Sequence, residues 1–157
     1  MTNPKQFRFL DADSSLVGAS LMPMLPLRLR NGIHTAEVFG LVDSGSAVNV
    51  LPYSIGEQLG LVWAEQRREI ILSGNLSRIA ARGIVVTATV EGIAPARLAF
   101  AWAQTDSVRP ILGQANFFGS MDICVGLTCA FSGQYQCLRS LRSGNKLILS
   151  NMFFFTY

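Results

Sequence analysis

In the stretch FGLVDSGSAVNVLP, residues 39–52, a single carboxylate, Asp43, ends one apolar run and is parted from the next by Ser44-Gly45-Ser46. A lone buried carboxylate is costly unless it is paired or hydrogen-bonded. An acid framed in this way therefore sits either at a buried turn or on the floor of a cleft. Other chemistries are poorly supplied. The sole histidine, His34, lies beside a hairpin-turn signal and apart from any candidate nucleophile, which argues against a Ser-His-Asp or Cys-His site. Cys124, Cys129 and Cys137 form no CxxC pair, so neither a zinc site nor a disulfide framework is indicated. There is no GxxxxGK[ST] phosphate loop. What survives is carboxylate chemistry on Asp43, with no metal and no cofactor expected.

The elements that would position Asp43 are mainly strands. Leu25-Pro26-Leu27-Arg28-Leu29-Arg30 alternates with period two, as a strand with one buried face does. Asn31-Gly32 signals a hairpin turn, and Thr35 to Val42 reads as the returning strand that delivers Asp43 to Gly45 as a tight turn. Pro52 opens a short helix over Tyr53 to Gly60, with Ile55 and Leu59 on one face and Gly60 as its stop. Strand-like runs follow at Arg67 to Leu72 and Ile84 to Val90, joined by a small polar hairpin tip at Ser73 to Ser77. Ala96 to Ala103 is a further strand, Gln114 to Phe118 a second short helix, and Met121 to Val125 alternates again. Short strands at this density predict an all-β, closed barrel-like fold with one or two short helices.

Composition limits the partners. Half of the residues are hydrophobic and only 15% are charged, which favours one folded domain over disorder. The net charge of +3 arises wholly from Arg139, Arg142 and Lys146, because residues 1–125 carry ten basic and ten acidic side chains. No basic stripe with interleaved aromatics runs through the body, so nucleic acid is not an expected partner. No apolar run approaches the roughly 20 residues of a membrane helix. Asp11, Asp13, Pro23 and Pro26 make a poor signal peptide, and the cytoplasm is the default expectation.

The run Leu41-Val42-Asp43-Ser44-Gly45-Ser46 resembles the catalytic turn of aspartic proteases. Ile111-Leu112-Gly113 is similar to the hydrophobic-hydrophobic-Gly element that crosses behind that turn. With the helix, the hairpin and two strands in order between them, residues 21–125 resemble a single retropepsin-like lobe, the retroviral-protease type also found in bacteria and in cellular proteins. The resemblance implies an aspartic endopeptidase acting on polypeptides as a homodimer, since one lobe supplies one Asp and the mechanism needs two sharing a proton. It further implies that Ser44 bonds across the dimer interface, that Gly45 admits the substrate backbone, and that the Ser46 hydroxyl donates to the ionised carboxylate. Gly74-Asn75-Leu76 would form the flap tip. Val48, Leu76 and Ile111 would line an apolar cleft, with Leu112 and Gly113 structural behind the turn.

Two departures stand out. Retroviral members have an Arg after the downstream Gly, paired with an Asp shortly after the catalytic turn; here those positions are Gln114 and Ala47. The chain also runs on through a divergent basic and aromatic extension, residues 126–157, ending in Phe153-Phe154-Phe155-Thr156-Tyr157. This extension is either an added strand or helix, sequence without a selected role, or, least favoured, a membrane-surface contact. Residues 1–20 read as a loose arm. The competing function is a catalytically silent dimeric peptide-binding or assembly module, since such folds host both.

Overall fold

The computed structural model describes Phe7, Leu10–Asp11 and residues 21–118. The strand expected over Met121 to Val125, the extension 126–157 and all three cysteines lie outside these residues. Of the N-terminal arm, Phe7 packs against the main core, and β1 (Leu10–Asp11) pairs antiparallel with β2 (Leu21–Met22).

β3 (Met24–Asn31) and β4 (His34–Val42) form the expected hairpin, with Gly32 at its turn in the left-handed region, φ 57°. Leu25, Leu27 and Leu29 of β3 and Ala36, Val38 and Val42 of β4 point into the core. A one-residue slip would turn each β3 leucine to solvent, forfeiting about 1.5–3 kcal/mol apiece, so burial fixes the register. β5 (Asn49–Leu51), β6 (Glu69–Ile70), β7 (Ala81–Thr89), β8 (Ala96–Ala103) and β9 (Ile111–Leu112) complete the sheet. Its order is β3-β4-β9-β5-β8-β7-β6, and an added β3–β7 pairing closes the first six into a barrel with β6 outside it. The all-β expectation holds.

β9 lies between β4 and β5, parallel to the first and antiparallel to the second. This threading brings Ile111-Leu112 directly alongside the end of β4. Gly40 leaves room for the Leu112 side chain on the neighbouring strand, because a Cβ there would stand 2.8 Å from it.

Two apolar clusters fill the protein. The larger includes Leu25, Leu29, Leu51, Leu98, Trp102, Leu112 and Phe117. The smaller is Val50, Leu72, Ala81, Ala101 and Ala103. Successive residues of β5 and β8 serve opposite clusters, which is why Phe100 to Ala103 are all buried rather than alternating. α1 (Tyr53–Gln58) packs on Trp102, whose indole N–H donates to the Tyr53 carbonyl at 3.0 Å while its ring stacks on Tyr53. Asn31 Nδ2 donates to the Leu59 carbonyl at the helix end, and His34 lies against Gly60 there.

At the other end of α1, the Ser54 N–H donates to Asp106 Oδ1 at 2.8 Å. That N–H, and then the Ser54 hydroxyl, hold the Asp106 carboxyl below the usual carboxylate range. A lowered folded-state value means stability that is present above the unfolded carboxylate's range and lost as pH falls through the lowered one. Asp106→Asn should therefore lower the thermal midpoint slightly at pH 7, and by less as pH falls through the lowered carboxyl range, as measured by thermal unfolding at a series of pH values.

Two expected elements differ. Only Glu69 and Ile70 of the Arg67 to Leu72 run pair with β7, because the chain then leaves the sheet with Ile71 94% exposed. The helix expected at Gln114–Phe118 is instead a non-helical turn, with ψ 109° at Ala115 and φ 52° at Asn116. The Ala115 carbonyl is taken by the Asn49 side chain at 3.0 Å rather than by a later amide. Asn116 is among the few residue types that accept a left-handed backbone readily.

Candidate active site

Asp43 is the first residue beyond β4, and the sheet holds it by its backbone. Its N–H donates to the Leu112 carbonyl at 3.0 Å, so the pairing with β9 continues up to the acid itself. The turn then closes on the carboxylate. The Ser46 N–H donates to the Asp43 carbonyl at 3.2 Å, and the Gly45 N–H donates to Asp43 Oδ1 at 2.9 Å. Asp43 is half-buried while Ser44 and Gly45 are exposed, which leaves one oriented carboxylate partly open to solvent.

Gly45 gives the Asp43 carboxylate space rather than supplying an unusual backbone angle. Its φ is not positive, but an added Cβ would sit 3.2 Å from Asp43 Oδ1. The Ser44 hydroxyl makes no hydrogen bond to another described residue of its own chain.

The expectation for Ser46 fails. Its hydroxyl donates to the Val48 carbonyl at 2.7 Å, and a hydroxyl has one proton to give, so it does not donate to the Asp43 carboxylate. Ser46 supports the turn by bracing its far side. Ser46→Ala should cost about 1 kcal/mol of stability and leave the acidic limb of a rate profile where it was. Unfolding and pH–rate measurements on the variant check both halves.

Behind the turn, Asn49 is fully buried and fully bonded. Nδ2 donates to the Ala99 carbonyl at 2.7 Å and to the Ala115 carbonyl at 3.0 Å, and Oδ1 accepts from the Gly113 N–H at 2.7 Å. One side chain thus ties β5, β8 and the Gly113–Ala115 segment together. Gly113 lies so close beneath the turn that a Cβ would be 2.5 Å from the Val48 carbonyl oxygen and 2.6 Å from that of Ser46. Sequence reasoning passed over Asn49. Its signal was the one polar residue in Ala47-Val48-Asn49-Val50-Leu51.

The predicted cleft residues Val48, Leu76 and Ile111 all pack, partly exposed, against the smaller apolar cluster. Ile70, Ile79 and Val108, which the sequence reading did not select, join them there. The hairpin tip is a short 3-10 turn, Gly74–Leu76, with Gly74 at φ 62°. Gly74 and Asn75 are exposed, and of the three tip residues only Leu76 reaches the cluster. The result is an aliphatic surface formed jointly by the segment after Asp43, β9 and the hairpin.

A retropepsin-like aspartic protease from Rickettsia conorii superposes with a TM-score of 0.51 at 11% identity, over 74% of this chain and 88% of that one. The fold is retropepsin-like. The protease of EIAV, solved with the inhibitor HBY-793, also matches, at TM-score 0.46 and 17% identity over 62% of this chain and 86% of its own. No family model matches the chain, and no curated protein matches its sequence.

Proposed function

We propose that this chain is an aspartic endopeptidase that hydrolyses peptide bonds as a homodimer, with Asp43 of each copy meeting its mate across a two-fold axis. The observation that carries this reading is the clamped, outward-facing Asp43 turn. One carboxylate oxygen is oriented by the Gly45 amide, and the turn itself is braced by Leu112, Gly113 and Asn49.

In this mechanism two neighbouring carboxylates do not both ionise, and they share one proton. The ionised carboxylate takes a proton from a water held between the pair, and the water oxygen attacks the carbonyl carbon of the scissile bond. The protonated carboxyl gives its proton to the carbonyl oxygen. Collapse of the tetrahedral intermediate returns a proton to the departing amine. The aliphatic surface of Val48, Ile70, Leu76, Ile79 and Ile111 favours apolar side chains on either side of that bond.

The test is cleavage of a mixed peptide library from pH 3 to 7, with activity per mole of chain followed as a function of concentration alongside solution mass. Cleavage that rises as dimer accumulates supports the proposal. A stable dimer that binds peptides and cleaves none identifies a peptide-binding module instead, and full activity in a chain that stays monomeric overturns the proposal.

A further inference from the structure

We infer that Gln114 is a positioning residue for Asp43, an uncharged latch that holds the catalytic turn in place from within the same chain. Its side-chain Nε2 donates to the carbonyl of Ser44, the residue after Asp43, at 2.6 Å. Its backbone N–H donates to the Ser46 carbonyl at 2.8 Å, and the next N–H, of Ala115, donates to the Ala47 carbonyl at 3.0 Å. Three acceptors of the turn, the carbonyls of Ser44, Ser46 and Ala47, are therefore gripped by two adjacent residues. The two backbone bonds would survive any substitution at 114; the bond nearest the acid depends on the side chain.

Chemistry makes this bond specific. The Ser44 carbonyl is an acceptor, so the partner must donate. An amide NH₂ does so at every pH, whereas a carboxyl does so only while protonated. The backbone bonds of Gln114 and Ala115 to the Ser46 and Ala47 carbonyls seat residue 114 against the turn, and the Asn49 bonds to Gly113 and Ala115 hold the segment on either side of it. Gln114 is exposed and contributes nothing to either apolar cluster, so its replacement perturbs the turn without opening the core. The segments that meet here, the turn 43–48, β5, β8 and 114–118, carry Asp43 and Arg97 as their ionisable side chains.

The kinetic part of the inference rests on the endopeptidase reading; the latch itself rests on geometry. Both are tested on the full chain with Gln114→Ala and Gln114→Glu, using thermal unfolding to confirm that each folds. In Gln114→Ala, kcat should fall about 10-fold or more with KM little changed, because the reacting carboxylate is misplaced while the apolar surface is intact. In Gln114→Glu, activity should approach wild type at low pH, where the carboxyl can donate. It should drop as pH rises through about 4.3, the ordinary range of a glutamate carboxyl. Amide exchange at Gly45 and Ser46 should accelerate in Gln114→Ala at every pH and in Gln114→Glu only above that transition.

Profiles for both variants that parallel wild type, together with unchanged exchange at the turn, would overturn the latch. If wild type cleaves nothing at any pH, the endopeptidase reading fails on its own, and the exchange measurement still decides whether Gln114 holds the turn.

Discussion

Asp43→Asn is expected to remove peptide cleavage, by about 10⁴-fold or more, while leaving the fold and the thermal midpoint close to wild type. The amide keeps the volume of the side chain, and its Oδ1 can still accept the Gly45 N–H now bonded at 2.9 Å, so the turn should survive. What it cannot do is take a proton from water. A second expectation separates a dimeric mechanism from a monomeric one. Adding an equal amount of variant to wild type, at concentrations where pairs form, should lower activity to about half by drawing wild-type chains into mixed pairs. An enzyme that works as a lone chain would be indifferent to the addition. Cleavage that persists in purified Asp43→Asn would remove this residue from the chemistry altogether, and the proposed function with it.

The parts of the fold that could be read from the sequence are those in which a local pattern and the global structure agree. The Leu25, Leu27, Leu29 alternation, the Asn31-Gly32 turn and the Ala96 to Ala103 run each carry their conformation in their own residues, and each appears where expected. Asp43 stood out because a charge at the end of a buried strand is costly to place anywhere else. The misreadings arise where a distant partner decides. Gln114–Phe118 has an acceptable helical composition, but Asn49, more than sixty residues earlier, captures the Ala115 carbonyl and diverts the chain. The Ser46 hydroxyl has one proton to give, and only the path of the turn shows that the Val48 carbonyl takes it. β6 is brief because pairing with β7 stops at Ile70, a fact of sheet geometry rather than of the apolar Ile70-Ile71-Leu72 run. Gln114 looked like the loss of a charged support, and the structure places its neutral amide on the Ser44 carbonyl.

Gly113→Ala should be the most damaging single substitution of a small residue behind the site. The added methyl would stand 2.5 Å from the Val48 carbonyl oxygen, 2.6 Å from that of Ser46 and 2.8 Å from the Val48 carbonyl carbon. All three are backbone atoms, so no side chain can swing aside. Nor can the glycine itself retreat easily. Its N–H is bonded to Asn49 Oδ1 at 2.7 Å, and the following N–H is bonded to the Ser46 carbonyl at 2.8 Å. Relief requires the segments 46–48 and 113–115 to part, which breaks the bonds that hold the Asp43 turn. A cost of about 3 kcal/mol or more is expected, which corresponds to a midpoint lower by roughly 12 °C or more in a domain of this size. Gly83→Ala provides the control, because its methyl would meet only the flexible Arg68 and Ile70 side chains at 3.4 Å, an ordinary contact distance. If thermal unfolding gives the two variants similar midpoints, the close crossing of β9's end beneath the turn is not what holds Asp43 in place. A large drop for Gly113→Ala alone ties the geometry of the acid to a single missing side chain behind it.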